Sequence, residues 1–201
     1  MTVPTPCLKT NNRLLISAFL LLIAAMMCSS CSLHKHSTKR GENNKTHAKT
    51  KEEKEKEKQE EKFLSDIIKH LKGDEKKVLQ EAETWIGTPY KYAGTEKGSG
   101  ADCSGFVMMV FKEAINCALP RNSAKQAEFC KRIKREKVKP GDLVFFATGK
   151  DPTKVSHVGI MVDDTNFIHA SSSKGVVISS LKNKYYTDRL LEFGKVPCMN
   201  H

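Results

Sequence analysis

The spacing of apolar residues changes at Pro140-Gly141, and that change limits the folds open to this chain. Beyond it lie five short stretches that read as strands, residues 143–147, 157–162, 166–170, 176–179 and 190–196, divided by polar connections. Before it the spacing is helical. Phe63, Leu64, Ile67, Ile68 and Leu71 form one apolar stripe within residues 63–73. Val78, Leu79, Ala82, Trp85 and Ile86 form another, with Asp74 placed to cap its start. A third helix follows Asp102 and buries Phe106, Val107, Val110 and Phe111, and a short one runs from Ser123 toward Cys130. Helices first and neighbouring strands afterwards predict an α+β domain over residues 74–198, with an antiparallel meander as its sheet. Gly141-Asp142 reads as a tight turn at the entry to the first of these strands.

Residues 1–30 have a different make-up. Lys9 and Arg13 precede a charge-free apolar run over residues 14–27, and small residues and cysteines follow, as in a secretory signal. The run is shorter than the ~20 apolar residues a spanning helix uses. A lipoprotein signal is cut after a small residue and before the cysteine that carries the lipid. Ser30 precedes Cys31, whereas Met27 precedes Cys28, so Cys31 is the expected lipidation site and the membrane a partner through that lipid. Two alternatives stay open: secretion without lipid, and a metal site built from Cys28, Cys31, His34 and His36. The second would need a folded module that the surrounding residues cannot form.

Residues 31–62 contain no aromatic side chain and almost no aliphatic one, which predicts a disordered charged tether. The Lys/Glu run over residues 51–58 adds i,i+4 charge pairs but no apolar seam for a coiled coil. The net charge of +11 divides almost evenly between residues 1–62 and the remainder, so it is not the property of a tail. A mild basic balance suits anionic surroundings, and the chain lacks the basic patch interleaved with aromatics that nucleic acid would call for. Seven cysteines include Cys7 and Cys28 in the signal and Cys31 at its exit. Among Cys117, Cys130 and Cys198, the first two close the shortest loop, and the sequence leaves the pairing undecided.

The chemistry centres on Asp102-Cys103-Ser104-Gly105-Phe106, where a cysteine follows a glycine-rich loop and opens an apolar helix. A cysteine in a first helical turn meets unpaired N–H groups and the positive end of the helix dipole, both of which favour thiolate. His157 and His169 lie downstream on predicted strands. A thiol, a proton acceptor and a polar group that orients the acceptor are the parts of a thiol hydrolase.

Six fragments occur in order: Gly87-Thr88-Pro89-Tyr90, the Cys103 pentapeptide, Leu119-Pro120-Arg121, Pro140-Gly141-Asp142-Leu143-Val144-Phe145-Phe146, Ser156-His157-Val158-Gly159-Ile160, and His169. In these the chain resembles the NlpC-type cell-wall peptidases, papain-like cysteine peptidases that act on peptidoglycan. The resemblance covers roughly residues 74–198 and implies a papain-like core. It also implies roles. Cys103 is the nucleophile, His157 the base, His169 its orienter, and Tyr90 an oxyanion donor, with Tyr92 the fallback. Asp102, Ser104 and Ser123 match positions lining the pocket ahead of the scissile bond, although Asp102 also serves as a helix cap. Arg121 matches a position that meets either a substrate carboxylate or a structural partner.

The two histidines provide a geometric check. A three-residue turn at Asp163-Asp164-Thr165 sets His157 opposite Ser171, one diagonal from His169 on the same sheet face; a two-residue turn would send them to opposite faces. The resulting expectation is a monomeric, lipid-anchored enzyme of the bacterial envelope, facing the periplasm, with no cofactor and no resident metal. It would cut stem peptides between D-glutamate and the diamino acid, or alternatively at the cross-link. A different class of reading is a catalytically silent wall-binding lipoprotein.

Overall fold

The computed structural model describes residues 50–200. The expected signal, the Cys31 lipidation site and most of the expected tether lie outside the described residues.

The first helix, α1 (Lys51–Ile68), begins well before the expected start at Phe63. A capping box explains where. The Thr50 hydroxyl accepts from the Glu53 N–H at 3.2 Å, and the Glu53 carboxylate accepts from the Thr50 N–H at 2.8 Å. The Lys/Glu run that follows is composed of good helix formers, so nothing stops the helix before Phe63. Residues 51–62 are thus helix, not the disordered tether expected there. Leu64 and Ile68 are buried, and α1 lies against strand β7 (Gly175–Ser180). There the Glu60 carboxylate accepts from the Ile178 N–H at 3.3 Å, and burial raises its pKa.

Helix α2 (Gly73–Glu83) is capped at Lys72 and not by Asp74. Asp74 sits in the first turn, where it accepts from the Asn200 N–H and pairs with Lys77. A two-stranded ribbon, β1 (Thr95–Glu96) with β2 (Gly100–Ala101), leads into α3 (Cys103–Ile115). The predicted cap at Asp102 is present, its carboxylate accepting from the Gly105 N–H at 2.7 Å. Just beyond α3, Cys117 is joined by a disulfide to Cys198 across a sequence separation of 81, which leaves Cys130, not Cys198, as the free thiol of the three.

After α4 (Ser123–Phe129) the chain builds β3 (Lys131–Ile133), β4 (Leu143–Phe146), β5 (His157–Met161), β6 (Asn166–Ser171), β7, the single turn α5 (Lys184–Thr187) and β8 (Leu190–Lys195). Six strands form one antiparallel sheet in the order β3-β8-β4-β5-β6-β7. Strand alternation divides its side chains between two apolar layers. Phe145, Val158, Ile160, Ile168 and Val176 pack with α1, α2 and α3, while Val144, Phe146, Met161, Phe167 and Phe193 form a smaller layer on the other face. The outer edge of β7 is covered. The turn after α2 exchanges bonds with Val176 through Gly87 N–H and Thr88 C=O, and Glu60 takes the next N–H along. The architecture is α+β. Among the described residues no helix is long and apolar enough to cross a membrane.

Leu64→Ala tests whether α1 belongs to the folded unit. Leu64 is fully buried, so the substitution is expected to lower stability in urea titrations by about 2–4 kcal/mol. An unchanged midpoint would return residues 51–68 to the status of a tether.

Candidate active site

Cys103 is set by a tightly packed turn. Asp102 has extended backbone, and Cys103 is the first residue of α3. A Cβ on Gly105 would strike the Gly94 carbonyl oxygen, so the first turn of α3 rests directly on the glycine loop.

Opposite it, β5 and β6 separate. Their ladder holds Met161↔Phe167 and Ile160↔Ile168 and goes no further toward His157. The N–H groups that face β6 alternate along β5, with Val162 bonded to the Asn166 carbonyl and Ile160 paired with Ile168. Val158 is the next in that series, and its N–H bonds the sulfur of Cys103 instead of β6. The N-terminus of α3 therefore meets the sheet where two central strands part.

The histidines bridge the gap. The pairs Ile160↔Ile168 and Met161↔Phe167 are the register that a three-residue turn requires. Gly159 consequently lies across from His169, and a Cβ there would sit 2.7 Å from the Phe167 ring and 3.2 Å from the His169 Cβ. Without a side chain at 159, the His157 ring reaches over to His169. His157 Nε2 lies 2.8 Å from His169 Nδ1, with the rings edge to face. His169 Nε2 in turn meets Ser179 Oγ at 3.0 Å and the Tyr186 hydroxyl at 3.2 Å, and Ser179 also bonds Tyr186.

Both rings are buried, and burial fixes their charge. It lowers His157 to a pKa of about 4. His169 is held well below its ordinary value by burial first, then by the charges of His157 and Lys174. Each neutral ring carries one N–H. If His157 donates from Nε2 to His169 Nδ1, and His169 donates from Nε2 to Ser179, then His157 Nδ1 is left as a bare acceptor on the cleft side.

Cys103 differs from the expectation of a resting thiolate. Burial and the neighbouring Asp102 carboxylate push its pKa up, against the N–H groups of Val158, Ser104 and Cys103 itself, and the net direction is upward. The helix terminus acts as expected, but desolvation outweighs it.

Tyr90, Cys103, His157 and His169 line one cleft of about 400 Å³. Tyr90 is held there by bonds on either side of it, Ala101 N–H to the Pro89 carbonyl and Lys91 N–H to the Ala101 carbonyl. Tyr92 is 87% exposed and does not line the cleft. Asp102, Ser104 and Arg121 form their own cluster outside the cleft lining. Arg121 holds both Asp102 oxygens, at 2.7 and 3.0 Å, and Ser104 Oγ at 3.1 Å. Burial raises the Asp102 carboxyl, but Arg121, the Gly105 N–H and Ser104 together keep it below the usual range. Ser123 is buried in the first turn of α4, away from the cleft lining. Among the described residues no group of three His, Cys, Asp or Glu side chains is arranged to hold a metal.

Ser179 and Tyr186 are absent from the sequence reading. Ser179 was within reach of it: Phe167 pairs with Ser179 and His169 with Val177, so Ser179 is the diagonal neighbour of His169. Tyr186 sits on a single helical turn that has no periodic signal.

A cysteine at a helix start that shares a cleft with two hydrogen-bonded histidines, over a papain-like α+β core, is the arrangement of a thiol hydrolase. Residues 87–195 match the NlpC/P60 family, more than half of the chain, and the chain belongs to that family as a cysteine peptidase. It is 36% identical over 167 residues to the probable endopeptidase NlpC of Escherichia coli (strain K12), covering 83% of this chain and 91% of that protein. It is 31% identical over 175 residues to the murein DD-endopeptidase MepS/murein LD-carboxypeptidase of the same strain, covering 87% and 89%. Among solved structures it resembles a lipoprotein-like NLP/P60 family protein from Staphylococcus aureus subsp. aureus Mu50, with a TM-score of 0.57 and 29% identity, over 64% of this chain and 42% of that one.

The raised Cys103 pKa makes a pH prediction. Below its pKa the sulfur is neutral thiol, and iodoacetamide reacts with thiolate. The alkylation rate should climb about tenfold per pH unit from neutrality through the ordinary thiol value of 9.0. A plateau already reached in mildly acidic solution would show a resting thiolate–imidazolium pair.

Proposed function

We propose that this peptidase hydrolyses the stem peptides of peptidoglycan through an acyl-enzyme on Cys103. The observation that carries the reading is the single cleft in which Cys103, His157, His169 and Tyr90 meet. Likeness to two bacterial endopeptidases over about nine-tenths of their length supports the substrate class.

In this mechanism the Cys103 sulfur attacks the amide carbonyl as its proton passes to His157 Nδ1. The imidazolium that forms is stabilised by His169 Nδ1, which accepts from its Nε2–H. The Tyr90 hydroxyl and the Cys103 backbone N–H receive the charge that develops on the carbonyl oxygen. His157 then protonates the departing amine, and water releases the acyl group. Asp102, Ser104 and Arg121 cluster beside Cys103 outside the cleft lining, and in this reading they serve the acyl side of the substrate. Arg121 is already committed to Asp102, so it acts there by holding Asp102 in place.

The motif resemblance favours the bond between D-glutamate and the diamino acid. A second reading, cleavage of the cross-link, is favoured by the likeness to the murein DD-endopeptidase. We further infer an envelope location with lipid on Cys31. Mass spectrometry of the mature protein tests this, and lipid on Cys28 would move the cleavage site.

Digestion of purified wall, with products identified by mass spectrometry, decides the bond: a free diamino-acid amine beside a D-glutamate terminus for the first reading, separated stems for the second. Cys103→Ala should reduce product at least ~10³-fold in a folded protein, His157→Ala nearly as much, and His169→Ala less. Digestion at the wild-type rate by folded Cys103→Ala would refute the mechanism. Absence of product from the wild type would favour the silent wall-binding reading.

A further inference from the structure

We propose that Lys174 and the serine hydroxyls beside it form a carboxylate subsite on the leaving-amine side of the cleft. The inference rests on the stem-peptide reading above and names what that site recognises beyond the scissile bond.

Ser171, Ser172, Ser173 and Lys174 line the same cleft as Cys103, and Lys174 is the one formally charged side chain among its lining residues. The segment is the tip of the β6–β7 hairpin, closed by the pair Ser171↔Gly175 and by a bond from the Lys174 N–H to the Ser171 carbonyl at 3.3 Å. Its position is fixed from behind. Gly175 has φ +73°, and a Cβ there would strike the Thr88 carbonyl oxygen and lie 3.1 Å from Pro89 Cα. The hairpin tip is therefore pressed onto the segment that leads into Tyr90.

Lys174 is exposed, and among the described residues no carboxylate pairs with it. The other cation beside the nucleophile, Arg121, is occupied by Asp102. An anion entering the cleft thus finds one unneutralised ammonium, with hydroxyl donors next to it. Stem peptides carry carboxylates as their anionic groups, so the matching ligand group is a carboxylate.

The side follows from the reaction. Asp102, Arg121 and Ser104 lie outside the cleft lining, whereas Lys174 lines the cleft together with His157 and His169, and its charge reaches His169. The departing amine takes its proton from His157, so it leaves toward the histidines and toward Lys174. The carboxylate then belongs to the residue that supplies the amine. In both bonds considered above that residue is the diamino acid. Where it is a diamino diacid its second carboxylate stays free, attached beside the amine at the cross-link and at the far end of the side chain at the D-glutamate bond. The test peptides therefore carry it at the place set by the bond that is cut.

Two synthetic peptides test this with the full chain. They share the acyl portion and differ only in whether the diamino acid carries a free carboxylate or a carboxamide. The wild type should favour the carboxylate by about tenfold in kcat/KM, the scale of one charge-assisted contact. Lys174→Ala should abolish the preference, with kcat/KM for the carboxylate peptide falling to that for the carboxamide peptide chiefly through KM. Lys174→Arg should keep the preference, and Lys174→Glu should reverse it. Wild-type cleavage of both peptides at equal rates would overturn the subsite alone, as would equal loss on both peptides in Lys174→Ala. Cleavage of neither peptide by the wild type would overturn the stem-peptide reading and the subsite with it.

Discussion

The parting of β5 from β6 is the constraint on which the site depends. A continuous ladder would bond the Val158 N–H to β6 and close the space where the first turn of α3 delivers Cys103. Ending the ladder at Ile160↔Ile168 turns that N–H to the sulfur and opens a gap that the two histidines span. Gly159 leaves room beside the span, because a Cβ there would sit 2.7 Å from the Phe167 ring and 3.2 Å from the His169 Cβ. The backbone groups lost to the sheet are thus used by the site.

A buried histidine pair has a charge consequence. Two imidazoles 2.8 Å apart cannot both be cationic in a dry site, and desolvation keeps each of them neutral. His157 can then accept a proton, and His169 can orient it without competing for that proton. Burial and the Asp102 carboxylate likewise push the Cys103 thiol toward its neutral form. The Arg121–Asp102 pair balances the carboxylate next to Cys103.

Much of this was legible in the sequence because it rests on periodicity and counting. The five later strands and the Asp102 cap follow from spacing, and the odd turn follows from the motif's need to put both histidines on one face. Other features depend on contacts between distant segments. The Lys/Glu run reads as solvated because its stripe lacks apolar residues, yet a capping box starts a helix there and Glu60 docks it on Ile178. Cys117 pairs with Cys198, not with the nearer Cys130, because the chain end returns to the foot of α3. Asp74 was a reasonable cap by position, but a bond from Asn200 draws it elsewhere. Tyr186 reaches His169 from a single helical turn, and β3, Lys-Arg-Ile, has no alternation to announce a strand.

The central claim is that the strand gap and its histidine bridge leave His157 neutral, with the proton on Nε2 and Nδ1 free. Nitrogen-15 NMR of histidine-labelled protein at neutral pH observes this directly. The account predicts a protonated Nε2 in His157, engaged with a bare Nδ1 of His169, and an unprotonated His157 Nδ1. An imidazolium at His157, or a proton resting on its Nδ1, would contradict it.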